Sequence, residues 1–160
     1  MGNKVLVSEI AASVNATDDD VRSLDLVWQR MMTLERDGEY YIDESRKYYL
    51  LGALDATADQ RRAARIEAAD AQLVDAYNNL IAATPPKNGN GHAAWQKAML
   101  CGVTQVRDAL VELVDAKVDA KNMRPAAAAQ IRADADQLLR YAEHNAQHAL
   151  RRIHALTRNA

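Results

Sequence analysis

The chain has 160 residues, enough for one good core or for a small head joined to a helical body. Apolar residues make up 49%, but only 5% are aromatic, Phe is absent and alanine supplies much of the apolar count; this is the mix of packed long helices, not of a β-sandwich or an α/β enzyme. A net charge of −2 excludes a strong global field toward nucleic acid or an anionic membrane, and the single Cys101 excludes an internal disulfide.

A head is expected over roughly Met1 to Asp55, of winged helix-turn-helix type. Ser8 to Val14 reads as a short amphipathic helix, which Asn15-Ala16-Thr17 breaks. Thr17 is a good N-cap for a second helix from Asp18 to Met31: its hydroxyl can take an orphan backbone N–H, and Asp18, Asp19 and Asp20 suit the dipole of the first turn. The buried side of that helix is expected to be Val21, Leu24, Val27, Trp28 and Met31. Asp37-Gly38, between Thr33-Leu34-Glu35-Arg36 and Glu39-Tyr40-Tyr41-Ile42, reads as a two-residue hairpin turn. Asp43 then caps a third helix over Glu44 to Leu54, with Tyr48, Leu51 and Leu54 at helical spacing.

The body spans roughly Ala56 to Ala160 and is expected to be all-α, long antiparallel helices that assemble subunits. Thr57 can cap a helix running to about Ala83, with Ile66, Leu73, Tyr77 and Leu80 on one stripe. Pro85 to Gly91 is a break, because the prolines remove donors and Asn-Gly pairs favour turns. The next helix, about Ala93 to Ala120, carries Trp95, Met99, Val103, Val106, Leu110, Leu113 and Val114 at steps of three and four. Lys121 to Arg124 interrupts, with Pro125 at a first helical position. One last helix is expected from Pro125 to Thr157, with Ile131, Ala135, Leu138, Ala142, Ala146, Ala149, Ile153 and Leu156 as a seam. Stripes this thin suggest contact with neighbouring subunits, so Ile66, Leu73, Tyr77, Trp95, Met99, Val103, Val106, Leu110, Leu113, Ile131 and Leu138 are the candidate oligomerisation residues. No stretch approaches about 18 apolar residues and no basic-then-apolar leader opens the chain, so a soluble, intracellular protein without a membrane partner is expected.

In a helix-turn-helix the second helix enters the major groove. Arg22 could read guanine and Gln29 adenine, with Thr17, Ser23 and Arg30 on the same helix. Lys4, Arg36, Arg46 and Lys47 would meet phosphates. Arg61, Arg62 and Arg65 either extend that footprint or form a solvated face balanced by Asp59, Glu67 and Asp70. The head holds six basic residues against eleven acidic ones, so a single copy should bind weakly.

His144 and His148 lie four apart on a helix, but no second ligand cluster accompanies them, so no metal is expected. Cys101 reads as a small buried hydrophobe, and Trp28 and Trp95 as core. No P-loop, dinucleotide fingerprint, nucleophile elbow or Glu-x-x-His pattern occurs, which gives neither catalysis nor a cofactor any support.

The order of parts resembles the small terminase subunit of tailed bacteriophages, in particular the lambda-like DNA-packaging branch. The likeness is carried by Val7-Ser8-Glu9-Ile10-Ala11-Ala12-Ser13-Val14-Asn15-Ala16-Thr17, by Glu39-Tyr40-Tyr41-Ile42-Asp43-Glu44-Ser45-Arg46-Lys47-Tyr48-Tyr49, and by the Ala/Arg/Asp-rich run Gln60 to Leu73, after which Ala93-Ala94-Trp95 opens a helical segment. The resemblance implies a non-catalytic subunit that binds double-stranded viral DNA as a dimer or ring in the cytoplasm of the infected bacterial host. It would recruit and regulate a large ATPase–nuclease subunit through its C-terminal part. The reading helix would be Thr17 to Met31 and the wing Arg36 to Ile42. Two other classes remain open: a dimeric winged helix-turn-helix transcriptional regulator, and an adaptor whose head touches only protein.

Overall fold

Short elements with explicit start and stop chemistry build the first part of the chain, and long amphipathic helices build the second. The computed structural model describes residues 2–35, 37–83, 90–144 and 146–160, which divide into two compact units, Met1–Ala63 and Ala64–Ala160. It is mainly helical with one small antiparallel sheet, and no described helix is long and apolar enough to cross a membrane.

In the first unit, strand β1 (Lys4–Leu6) leads directly into helix α1 (Val7–Ser13). Asn15, at φ 54°, ends α1: its N–H reaches the Ala12 carbonyl at 3.2 Å and the Ala16 N–H reaches that of Ala11 at 2.9 Å. This is a Schellman stop, and Asn tolerates the left-handed backbone it requires. Thr17 then starts α2 (Asp18–Arg22) with a capping box, as its side chain accepts from the Asp20 N–H and the Asp20 carboxylate accepts from the Thr17 N–H at 2.8 Å.

The expected single helix from Asp18 to Met31 is two helices. α2 stops after Arg22, where the Ser23 hydroxyl donates to the Asp19 and Asp20 carbonyls. Asp25 restarts the chain as α3 (Leu26–Met31) by accepting from the Val27 and Trp28 N–H groups. The re-aimed α3 leaves Val27 58% exposed, although Leu24 is buried as expected.

Strands β2 (Thr33–Leu34) and β3 (Tyr40–Asp43) form the hairpin, and the sheet order is β1-β3-β2, with Val5 opposite Ile42 and Leu34 opposite Tyr40. The turn is longer than the expected two residues. Glu35 donates to the Glu39 carbonyl at 2.9 Å and Gly38 to that of Glu35 at 3.1 Å, with Gly38 at φ 81°. Arg36 lies outside the described residues.

Asp43 makes no side-chain cap; a 3-10 turn (Glu44–Arg46) runs straight into α4 (Lys47–Ala82). Thr57 is therefore not a cap but an interior helical residue whose hydroxyl bonds the Ala53 carbonyl at 2.9 Å. The first unit's core comprises Val7, Ile10, Ala11, Leu24, Ile42, Leu50 and Leu54.

The second unit packs α4 from Ala64 onward with α5 (His92–Asp119), α6 (Pro125–His144) and α7 (Ala146–Asn159). Arg65 reaches Glu112 and Asp119 while Leu80 lies on Gly102, so α4 and α5 are antiparallel. Arg132 meets Asp115 and Arg107 meets Asp136, which makes α6 antiparallel to α5.

The single last helix expected from Pro125 to Thr157 is instead a reversing pair. A straight helix would carry Ala160 about 24 Å beyond His144. Ala160 packs instead on the cluster of Val114, Ala128 and Ile131, on which Val118 and Met123 also pack, and Lys117 donates to its carbonyl oxygen. At the other end the Tyr141 and His148 rings meet edge-on, 5.1 Å apart. Asn145 lies outside the described residues, as do Thr84 and the Pro85–Gly89 part of the expected break at Pro85 to Gly91.

Candidate nucleic-acid interface

The capped α2, the start of α1 and the β2–β3 hairpin bound an open groove of about 240 Å³ lined by Val7, Ser8, Asp18, Val21, Arg22, Gly38, Glu39 and Tyr40. Ser8 donates to the Glu39 carboxylate across it at 3.3 Å. The groove offers one guanidinium, Arg22, against the carboxylates Asp18 and Glu39, so its own field does not draw phosphate.

The sequence-derived contacts fall into two groups. Exposed and able to turn outward are Lys4 on β1, Arg30 in the last turn of α3 and Arg46 in the 3-10 turn; Lys47, at the start of α4, is half-buried. Arg22 pairs with Asp19 at 3.3 Å, but both side chains are about four-fifths exposed (77% and 84%), so the pair is weak and exchangeable.

The others have internal tasks. Thr17 caps α2 and Ser23 closes it. Gln29 donates to the Leu24 carbonyl at 2.9 Å, which staples α3 to the end of α2 and takes its amide away from a base edge.

Arg61 grips Asp20, its Nε lying 2.9 and 3.2 Å from the two carboxylate oxygens. Asp20 is only 2% exposed. Burial works to raise its pKa, but the Thr17 N–H, the Arg61 guanidinium and the Thr17 hydroxyl outweigh burial and hold it below the ordinary value. Arg62 bonds Asp59 at 2.9 Å and the Asn15 carbonyl at 3.4 Å, which ties α4 to the turn before α2. Arg65 belongs to the second unit, and its hydrogen bond to Glu112 lifts its pKa above the ordinary arginine value. The three arginines are thus fasteners at separate places, not one basic cluster.

The candidate oligomerisation residues are packed within the chain itself. Leu73, Met99, Val103, Val106, Leu110, Leu113 and Leu138 are buried in one core of the second unit, with Ile66, Tyr77 and Trp95 half-buried against it and Ile131 in the adjoining cluster. The buried ones among them are not available to a subunit contact. Cys101, expected to be buried, is exposed. His148 is exposed and the His144 side chain lies outside the described ones; among the described residues no three His, Cys, Asp or Glu gather as metal ligands.

Sequence reasoning missed the exposed Leu26, Val27, Leu34 and Tyr40 beside the hairpin and α3, and Tyr48 and Tyr49 on α4. Asp25 as a second N-cap was the available signal for the first two. No protein-family model, curated protein or solved structure matches this chain.

Proposed function

We propose that the chain is a non-catalytic DNA-recognition subunit of a phage genome-packaging terminase. Its first unit is a winged helix-turn-helix that reads double-stranded viral DNA, and its second is a helical body through which copies gather and a large ATPase–nuclease subunit is recruited, in the cytoplasm of the infected host. The observation that carries this reading is the path of the head: α1, a Schellman turn and a boxed N-cap into α2, followed by an antiparallel hairpin paired to β1 in the order β1-β3-β2. That path puts a helix start and a hairpin on the two sides of one groove, as a winged reader needs. With Gln29 and Ser23 engaged internally, the direct contacts reduce to Arg22, Arg30, Lys4, Arg46 and Lys47.

The test is anisotropy of labelled duplexes carrying viral packaging-site sequence or scrambled sequence, with native mass spectrometry of the same protein. The expected result is a preference for the packaging sequence, abolished by Arg22→Ala with Arg30→Ala, from an oligomeric species. A lone protomer with no sequence preference at low salt would overturn the proposal. A two-fold dimer that prefers a palindrome with half-sites about one helical turn apart would favour a transcriptional regulator instead.

A further inference from the structure

The surplus of positive over negative charge in this chain is not in its head. The first unit holds eight basic residues against twelve acidic ones, and the second holds twelve against ten. Within the second unit the surplus is concentrated further. No Asp or Glu occurs from Ala120 to Ala133, nor from His144 to Ala160. These two acid-free stretches are separated by the ten residues 134–143, and the fold brings their outer ends together, because Ala160, Val118 and Met123 all pack on the cluster of Val114, Ala128 and Ile131 and Lys117 donates to the Ala160 carbonyl oxygen.

Arg158 in the last turn of α7 therefore stands at the same end of the body as Lys121 and Arg124, which line an open depression with Val118, Asn122, Met123 and Pro125. Arg151 lies two turns back along α7, about 10 Å from Arg158 and on the same face. All four are exposed, and none of their side chains has a hydrogen-bond or ion-pair partner among the described residues. The other arginines of this unit that could compete are engaged: Arg65, Arg107 and Arg132 sit in ion pairs and Arg152 lies over the Tyr141 ring.

Lys121 adds a second kind of observation. It occupies the left-handed C′ position of the stop that ends α5, at φ 59°, with the Asn122 N–H on the Lys117 carbonyl at 2.7 Å and its own N–H on that of Val118 at 3.0 Å. Glycine or asparagine is the usual occupant, and a lysine there costs stability. A cation held at a position that penalises it is consistent with a task beyond folding.

We propose that Lys121, Arg124, Arg151 and Arg158 form a phosphate-contacting surface for duplex DNA on the body, which supplies the sequence-independent grip that the acidic head lacks. The choice of DNA as the polyanion rests on the proposed function; the surface itself does not depend on the head being a reader. Every unpaired cation that meets a phosphate releases a condensed counterion, so the surface sets the salt dependence of binding rather than its sequence preference.

The experiment is titration of a labelled duplex of scrambled sequence with the full chain over a range of salt. It compares wild type, a variant with all four residues changed to Gln, the single Lys121→Gly, and the head variant Arg22→Ala with Arg30→Ala. Thermal melts and native mass spectra accompany each. The quadruple variant should keep the wild-type melt and oligomer and flatten the slope of log K against log salt by about 0.9 for each phosphate left unneutralised, and so by up to about 3.6. Lys121→Gly should melt higher than wild type and still bind DNA more weakly, which separates the charge from the fold.

A quadruple variant whose slope flattens by less than about 0.9 would overturn the inference while leaving a head-based reading in place. A slope that responds to the body variant and to no head variant would uphold the inference and count against the head as reader. Loss of the oligomer in the quadruple variant, with the slope unchanged, would overturn the inference by showing that an acidic surface of a second copy occupies the site.

Discussion

Replacing Arg61 with Ala should destabilise the first unit rather than weaken DNA binding. Asp20 is 2% exposed and accepts from Arg61 Nε at 2.9 and 3.2 Å and from the Thr17 N–H at 2.8 Å. Arg61→Ala leaves a buried carboxylate with the backbone donor but without its countercharge. Breaking a fully buried pair costs about 3–5 kcal/mol. The Arg61 side chain is 35% exposed, so water already screens the pair and the expected loss falls to about 2 kcal/mol.

Urea unfolding followed by the far-ultraviolet signal measures this loss, and a double-mutant cycle with Asp20→Asn isolates the coupling. The pH dependence has a definite sign. The folded-state pKa of Asp20 lies below its ordinary value of 3.8, so its stabilisation is complete above that pH and is lost as pH falls through the lower folded value. The gap in stability between wild type and Asp20→Asn should therefore close in that acid window. An Arg61→Ala protein with unchanged unfolding but a reduced affinity for duplex would refute the reasoning, because Arg61 would then be a phosphate contact.

Three further outcomes are expected. A Cβ on Gly102 would sit 2.8 Å from Leu80 Cδ1, the movable tip of a side chain; Gly102→Ala should be near neutral in a thermal melt, since gained helix propensity offsets the shift, whereas Gly102→Leu should cost about 1–3 kcal/mol. Leu110 is fully buried inside the chain's own core, so Leu110→Ala should lose about 2–5 kcal/mol, by the same amount at low and high protein concentration in calorimetry. Exposed Cys101 should react with a thiol reagent in the native protein as fast as in urea, as read by absorbance.

The sequence made some elements plain because single residues specify them. Thr17 with Asp20 marks a helix start, Asn15 a stop and Gly38 a hairpin, and each acts where expected. Periodicity was misleading wherever it continued across a break. Val21, Leu24, Trp28 and Met31 keep helical spacing through Ser23–Asp25, although the capping chemistry there ends one helix and begins another. Ile131, Ala135 and Leu138 of α6 and Ala149, Ile153 and Leu156 of α7 bury with the same three–four rhythm on both arms of a reversal. A stripe of apolar residues looks alike whether the helix extends toward a neighbour or folds back onto itself. The candidate site was less legible than the fold for a related reason: an arginine's sequence neighbours do not disclose that its guanidinium is engaged 41 residues away, as Arg61 is with Asp20.

The electrostatics place a condition on any DNA-binding role. Six arginines, Arg61, Arg62, Arg65, Arg107, Arg132 and Arg152, are engaged within the chain, and a non-specific dissociation constant of about 10⁻⁵ M at physiological salt, the middle of the usual range, is expected for one copy. A second copy on the same duplex sees an effective concentration of order millimolar, which strengthens binding by about 10²–10⁴ without any new contact. Two or more linked copies would thus reach about 10⁻⁷ to 10⁻⁹ M, which overlaps the range of about 10⁻⁸ to 10⁻¹¹ M typical of specific complexes. The second unit's self-contained core matters here, because it lets copies gather or separate without unfolding. Grip on DNA can then be set by copy number, while Arg22 and Arg30 on the head need supply only the smaller increment that distinguishes one sequence from another.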